Sequence, residues 1–206
     1  MLIKDYFKNI DPKYKNHYFS GFTFNSKDCK KNYIFFAIKG INQDGNNFIK
    51  NAIKKGARTI VHERKILDKK KNILYLRSQN IRKTLSNLSY KIYKKKPNNL
   101  IAVTGTNGKS SIANFFFQFL YLNKIKSASI GTLGINLNNK YSKVNNTTLD
   151  PIDLAKQLNK IKKRKIENVI LEASSHGLKQ HRLDGLEFKK GIFTNLSHDH
   201  LDYHKD

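Results

Sequence analysis

Three stretches of the sequence carry residue types that could do chemistry. The first is Thr104-Gly105-Thr106-Asn107-Gly108-Lys109-Ser110-Ser111. Two glycines let the backbone turn its N–H groups around an anion. Lys109 supplies a charge that can reach terminal phosphates, and Ser110 a hydroxyl of the kind that ligates Mg²⁺. The second is Glu172, followed by Ala173-Ser174-Ser175-His176; a carboxylate facing such a loop suits a second contact to the same ion. The third is His198-Asp199-His200 with Asp202 and His204. Zinc is conceivable there, but no cysteine contributes and the spacing does not put ligands on one helix face. A Mg²⁺ or phosphate role for one histidine, with the others structural, is the preferred reading. Plainer alternatives exist: Gly-Lys-Ser also begins ordinary helices, and Glu172 could be a solvated loop carboxylate. The loop is also shorter than the full Walker spacing, which wants its first Gly where Val103 stands.

These residues need elements to hold them. Leu100 to Val103 is an apolar run long enough for one buried strand. After Lys109 the period changes, and Ile112, Phe115, Phe116, Phe119 and Leu120 fall on one face of a helix predicted over 109–122. Ser127 to Ile130 reads as the next strand, and Gly131 to Gly134 with the Asn-rich stretch after it as a loop or hairpin. Asp150 is an N-cap with Pro151 at the first helical position, and Leu154, Leu158 and Ile161 form the apolar face. Val169-Ile170-Leu171 runs into Glu172, and Gly191 to Thr194 runs into Asn195 and the histidine cluster. Strands alternating with helices predict a mostly parallel sheet, which takes ligands beyond the carboxyl ends of its strands. All three chemical stretches sit at such ends.

The first half shows the same alternation on a smaller scale. Phe22 to Lys27 alternates as a strand does, and Tyr33 to Ile38 is apolar throughout, as in a strand buried on both faces. A loop at Ile41 to Gly45 leads to a helix marked by Phe48, Ile49, Ala52 and Ile53, ended by Gly56. Strands follow at Arg58–His62 and Ile73–Leu76. Ile81, Leu85, Leu88 and Ile92 mark a long amphipathic helix that stops at Pro97. The expected organisation is an α/β fold. A small N-terminal α/β domain at 1–97 precedes a P-loop-type, mostly parallel sheet with flanking helices at 98–206, an incomplete central domain.

Composition bounds the function. The chain has 206 residues, 38% hydrophobic and 11% aromatic, enough to form a core. Its one cysteine excludes an internal disulfide and fits a reducing compartment. No stretch approaches the ~20 apolar residues of a membrane span, so a cytoplasmic protein is expected. The net charge of +25 invites a nucleic-acid reading. The lysines are spread along the chain, however, in a Lys-, Asn- and Ile-rich composition of the kind an AT-rich genome produces, and most of the aromatics sit in apolar strands and helices. No nucleic-acid or membrane partner is expected.

The motifs together resemble the Mur ligase family. Leu171-Glu172-Ala173-Ser174-Ser175-His176-Gly177-Leu178 with Gln180-His181-Arg182, and Phe193-Thr194-Asn195-Leu196-Ser197-His198-Asp199-His200-Leu201-Asp202-Tyr203-His204, carry the resemblance. The glycine loop, Asn146-Thr147-Thr148, Asn25-Ser26-Lys27 and Gly40-Ile41-Asn42-Gln43-Asp44-Gly45 extend it over nearly the whole chain. Within the family these segments are most similar to ligases that add the third residue of the peptidoglycan stem peptide. The resemblance implies an ATP-dependent ligase that activates UDP-N-acetylmuramoyl-L-alanyl-D-glutamate as an acyl phosphate and joins it to a free amino acid, diaminopimelate or lysine. It implies ATP at Gly105, Thr106, Asn107, Gly108, Lys109, Ser110 and Ser111, and Mg²⁺ at Ser110, Glu172 and His200. Lys109, Glu172 and His200 would be catalytic. Phe24, Ser26, Ile41, Asn42 and Gln43 would contact the uridine end, and Asn146, Thr147, Thr148, Ser174, Gln180 and Arg182 the muramoyl peptide. Asn25 and Lys27 stand where the family usually has Asp and Arg, and the Ile41–Gln43 loop lacks the common His. The family's carbamylated lysine and amino-acid-binding domain are expected beyond these residues. A separate C-terminal ligase domain would then be a partner, and the 206 residues alone are not expected to form the amide. The alternatives are a non-catalytic nucleotide or UDP-sugar-binding module and, further off, a basic nucleic-acid binder.

Overall fold

The computed structural model describes residues 1–8, 10–137, 140–144, 146–199 and 203. The chain folds as two compact units, Met1–Leu88 and Ser89–Asp206.

The first unit is a four-stranded parallel sheet in chain order, from β1 (Gly21–Thr23), β2 (Tyr33–Phe36), β3 (Ala57–His62) and β4 (Leu74–Arg77). Ile34, Phe35 and Phe36 are fully buried, as the unbroken apolar run predicts for an inner strand. Helix α1 (Ile49–Lys54) packs Ala52 with Phe35, Ala57 and Ile60. Helix α2 (Ile81–Ile92), of which the part up to Leu88 belongs to this unit, follows the predicted stripe, with Ile81, Leu85 and Leu88 buried. The strand expected from Phe22 to Lys27 is cut short. The Asn25 side chain accepts a hydrogen bond from the Lys27 amide at 3.0 Å, and Ser26–Asp28 becomes a turn of 3₁₀ helix. A short polar side chain bonding its own backbone here outcompetes the strand ladder.

The second unit is a six-stranded sheet in the order β10-β5-β9-β6-β7-β8. Its strands are β5 (Asn99–Thr104), β6 (Ser127–Gly131), β7 (Gly134–Leu137), β8 (Lys140–Ser142), β9 (Asn168–Glu172) and β10 (Lys190–Phe193). The first four in spatial order are parallel; β7 and β8 complete the sheet as an antiparallel meander, the hairpin alternative of the sequence. Alternate residues face opposite layers. Leu100, Val169, Leu171 and Ile130 meet Leu154, Leu158 and Ile161 of helix α4 (Pro151–Lys163), whose N-cap Asp150 accepts from the Ile152 and Asp153 amides. Val103 and Ile170 meet Ala113 of helix α3 (Lys109–Leu122) on the other face.

The predicted face of α3 needs correction. Ile112 and Phe116 of that face do pack, half-buried, against Val103 and Ile170, but the fully buried residues are Ala113 and Phe117, whereas Phe115, Phe119 and Leu122 are 65%, 68% and 78% exposed. Nearly every position from 115 to 122 is apolar, so the period had no polar face to define it. A last short helix, α5 (Ser175–Lys179), was not anticipated; five residues are too few to show a period.

Candidate functional site

The site is assembled at the carboxyl ends of β5, β6, β9 and β10. Chain order skips from β5 to β6, and β9 later inserts between them, so α3 and α4 leave on opposite faces and open a crevice at this edge. The loop between β5 and α3 lies there. Gly105 has φ +131°, and a Cβ on it would stand 2.1 Å from Thr194 Oγ1, so both conformation and space demand glycine. Gly108 is the N-cap of α3 in the left-handed region and no side chain caps the helix. The first amides of α3 therefore point unpartnered to the crevice with the helix's partial positive charge behind them. Lys109 folds over the loop, its Nζ donating to the Gly105 and Thr106 carbonyls at 2.6 and 2.7 Å.

Opposite the loop, Glu172 is the last residue of β9 and only 2% exposed. Three donors converge on its carboxylate: Ser110 Oγ at 2.9 Å, the Thr132 amide at 3.0 Å and Thr132 Oγ1 at 3.0 Å. Gly131 makes room for it, since a Cβ there would lie 2.0 Å from Glu172 Oε1. Thr132 was not singled out in the sequence; its place directly after a strand that ends in glycine was the available signal. The Ser110 and Glu172 oxygens are hard, adjacent and beside a lysine, a donor set that fits Mg²⁺ shared with phosphate oxygens. Among the described residues no group of three or more His, Cys, Asp or Glu is gathered as a metal site.

A cavity of about 1060 Å³ joins these parts, lined by residues 104–111, Thr132, Thr147, Glu172, Ser174, Lys179 and the 196–199 segment among others. Of the residues assigned to the muramoyl peptide, Thr147 and Ser174 line it, and Asn146 is exposed beside it in sequence. Thr148 is buried, donating to the Glu172 carbonyl at 2.8 Å and accepting from the Ser174 amide at 2.9 Å. Arg182 donates to Gln180 Oε1 at 2.8 Å and to the Thr148 carbonyl, which ties the three assigned residues together. Tyr203 stacks on His176 with centroids 4.0 Å apart and accepts from Gln180 at 3.1 Å. His198 and Asp199 line the cavity. His200, Asp202 and His204 lie outside the described residues.

The uridine candidates belong to the first unit. Phe24 and Ser26 follow β1, and the Ile41–Gln43 loop follows β2, so both sit beyond the carboxyl ends of neighbouring parallel strands. Ser26 is buried, while Phe24 is 40% and Ile41 77% exposed, with Asn42 and Gln43 also exposed. The loop is pinned by Gly40 donating to the Gln43 carbonyl and by Arg64 pairing with Asp44 at 3.0 Å.

A glycine loop between a buried parallel strand and a helix, faced by a carboxylate at the next strand's end, defines an α/β fold of the P-loop type. The chain belongs to the Mur ligase family: residues 103–206 match the Mur ligase middle domain, and residues 19–97 the Mur ligase family catalytic domain.

Among similar curated proteins is the UDP-N-acetylmuramoyl-L-alanyl-D-glutamate–2,6-diaminopimelate ligase of Rickettsia prowazekii (strain Madrid E). It is 40% identical over 95% of this chain and 41% of its own length. The ligase of the same name from Wigglesworthia glossinidia brevipalpis is 43% identical over 88% of this chain and 38% of its own. The chain thus spans about two fifths of the length of these relatives. A solved structure of a ligase bearing the same name superposes with a TM-score of 0.83 at 28% identity, covering 99% of this chain and 42% of that one. A MurF ligase structure from Thermotoga maritima shares the fold at a TM-score of 0.60 and 22% identity. No helix among the described residues is long and apolar enough to cross a membrane.

Proposed function

We propose that this chain is the substrate- and ATP-binding part of an ATP-dependent ligase that extends UDP-N-acetylmuramoyl-L-alanyl-D-glutamate with diaminopimelate. The observation that carries the reading is the pairing of an uncapped helix N-terminus and Lys109 with the Ser110–Glu172 contact, in a chain 40% identical to a ligase of that name. Residues 1–97 would hold the uridine end through Phe24, Ser26, Ile41, Asn42 and Gln43, and residues 98–206 the ATP and the peptide.

Joining a carboxylate to an amine requires a leaving group on the carboxylate. In the proposed reaction a substrate carboxylate oxygen attacks the γ-phosphorus of ATP and the bond to the ADP oxygen breaks, giving an acyl phosphate. The amine then adds to the acyl carbon, phosphate leaves, and the amine gives up a proton. The first step brings two anions together, so its barrier is electrostatic. Lys109 and the α3 amides would hold the phosphates and neutralise them. Ser110 and Glu172, with His200 as a third candidate, would hold Mg²⁺, which when bound supplies charge to the phosphate oxygens. Asn146, Thr147, Ser174 and the Thr148–Gln180–Arg182 group would orient the peptide portion at the cavity wall.

The test is calorimetry with Mg²⁺-ATP. The chain should bind it, and Lys109→Ala should lose most of that affinity while still unfolding cooperatively, because the Lys109 ammonium bonds the Gly105 and Thr106 carbonyls of the loop. Equal affinity in the variant would remove the phosphate-loop reading. The UDP-muramoyl dipeptide at a hundredfold over its dissociation constant should add ~2.7 kcal/mol of stability; a melt that stays put at saturating ligand would count against the substrate assignment.

A further inference from the structure

Resting on the phosphate-loop reading, we propose that Thr194 and Asn195 are positioning residues: they hold the 105–108 loop in shape and decide which of its amides are left to bind the anion. They follow β10, a strand remote in sequence from the loop, and they clasp it at its tip.

The clasp is specific. Thr194 Oγ1 donates to the Asn107 carbonyl at 2.6 Å. Asn195 Oδ1 accepts from the Asn107 amide at 3.0 Å, and its Nδ2 donates back to the Asn107 carbonyl at 3.3 Å. The Asn195 carbonyl accepts from the Thr106 amide at 3.0 Å. Thr106 Oγ1 closes the set by exchanging hydrogen bonds with Ser197, whose amide donates at 2.9 Å. Gly105 lets the two segments approach, since any Cβ there would meet Thr194 Oγ1 at 2.1 Å and the Asn195 carbonyl at 2.8 Å.

A division of labour follows. The Thr106 and Asn107 amides are already committed to Asn195 and are not offered to a phosphate. Among the described residues, the amides of Gly108, Lys109, Ser110 and Ser111 have no acceptor. These four open the helix and carry its partial positive charge. The clasp therefore keeps the loop from closing on its own free donors, and the anion meets a set of N–H groups that needs no rearrangement. Because Asn195 and its contacts are solvent-exposed, water competes for these bonds and the effect on affinity is modest.

The experiment combines amide NMR with ADP–Mg²⁺ calorimetry on the 206-residue chain. In the ligand-free protein, Asn195→Ala should speed hydrogen exchange at the Asn107 amide while leaving the melting temperature and the β9 amides unchanged. It should weaken ADP binding about fivefold, the order of one net hydrogen bond. Thr194→Ala should weaken it similarly, and Thr194→Ser, which keeps the hydroxyl, should restore it; a role resting on packing of the threonine methyl would give no such rescue. In the parent chain ADP should shift the Gly108–Ser111 amides and leave exchange at Thr106 and Asn107 slow. Parent-like affinity in both alanine variants would overturn the proposal, as would fast exchange at Asn107 in the parent. A misfolded Asn195→Ala leaves the Thr194 pair to decide. ADP failing to bind the parent at all would instead sink the phosphate-loop reading, while the exchange rates would still report whether the clasp exists.

Discussion

Gly131→Ala isolates the fit between β6 and the Glu172 carboxylate. The added Cβ would lie 2.0 Å from Oε1, 2.4 Å from Cδ and 2.6 Å from Cγ. Ordinary non-bonded separations are about 3.5–4.0 Å, so the carboxylate must retreat by roughly 1.5 Å. That breaks the bonds from Ser110 Oγ and from the amide and hydroxyl of Thr132. Hydrogen bonds to a charged group are worth about 1.5–3 kcal/mol each. The carboxylate recovers hydration as it swings into the cavity, so the loss is nearer one such bond than three. Replacing glycine in a tolerated conformation returns about 0.4–1 kcal/mol through the unfolded state. The expected net cost is about 2 kcal/mol, read as a lower urea midpoint at unchanged slope. In a Glu172→Ala background these three clashing atoms are gone, and the same substitution should cost much less or become neutral. The double-mutant cycle should therefore show a coupling of about 2 kcal/mol. Additivity within about 0.5 kcal/mol would refute the claim that Gly131 exists to seat Glu172.

Three further outcomes test the fold and its ionisable groups. Phe117→Ala should cost about 3–5 kcal/mol, while Phe119→Ser should change stability by no more than about 0.5 kcal/mol, as urea midpoints would register; the reverse order would restore the face predicted from sequence. Burial holds the Asp150 carboxyl above its ordinary value of 3.8, with the Ile152 and Asp153 amides opposing and the Asp153 charge adding to the rise. The folded chain then binds a proton that the unfolded chain has released, so Asp150's contribution is complete below pH 3.8 and is lost as pH rises through the folded value. Asp150→Asn keeps the cap and should abolish that slope in urea midpoints taken across the acid range. Burial pushes the Cys29 thiol up to about 11, so in the folded chain it should react with iodoacetamide far more slowly at pH 8 than in urea.

Much of this was legible in the sequence because the relevant signals are local. The turn glycines, the Asp150-Pro151 start and the unbroken apolar runs of β2, β5 and β9 each follow from a few adjacent residues. What was not legible depended on contacts across the chain. The register of α3 is set by which residues meet Val103 and Ile170, and a helix apolar on nearly all sides does not record that choice. Thr132 earns its role only when β6 lies beside β9 and brings its hydroxyl to Glu172. Asn195 read as the residue before a histidine cluster, and its bonds to Asn107 appear only once β10 pairs with β5. Arg182 read as a cation for the substrate; its bonds to Gln180 and the Thr148 carbonyl emerge from the fold.

The outward row of Phe115, Phe119 and Leu122 on α3 has a consequence for how solutions of this chain behave. Roughly one greasy side chain per turn faces water on a polypeptide of net charge +25. At low ionic strength that charge keeps copies apart and masks the row. The range of the repulsion shrinks from ~10 Å at 0.1 M salt to ~3 Å at 1 M, while contact between apolar rows is strengthened by sulfate and phosphate. Colloidal stability is therefore a contest that added salt tips toward clustering. Dilute chloride buffers should keep the chain dispersed, ammonium sulfate should precipitate it early, and a single charged residue at position 119 should move that threshold more than one placed among the lysines.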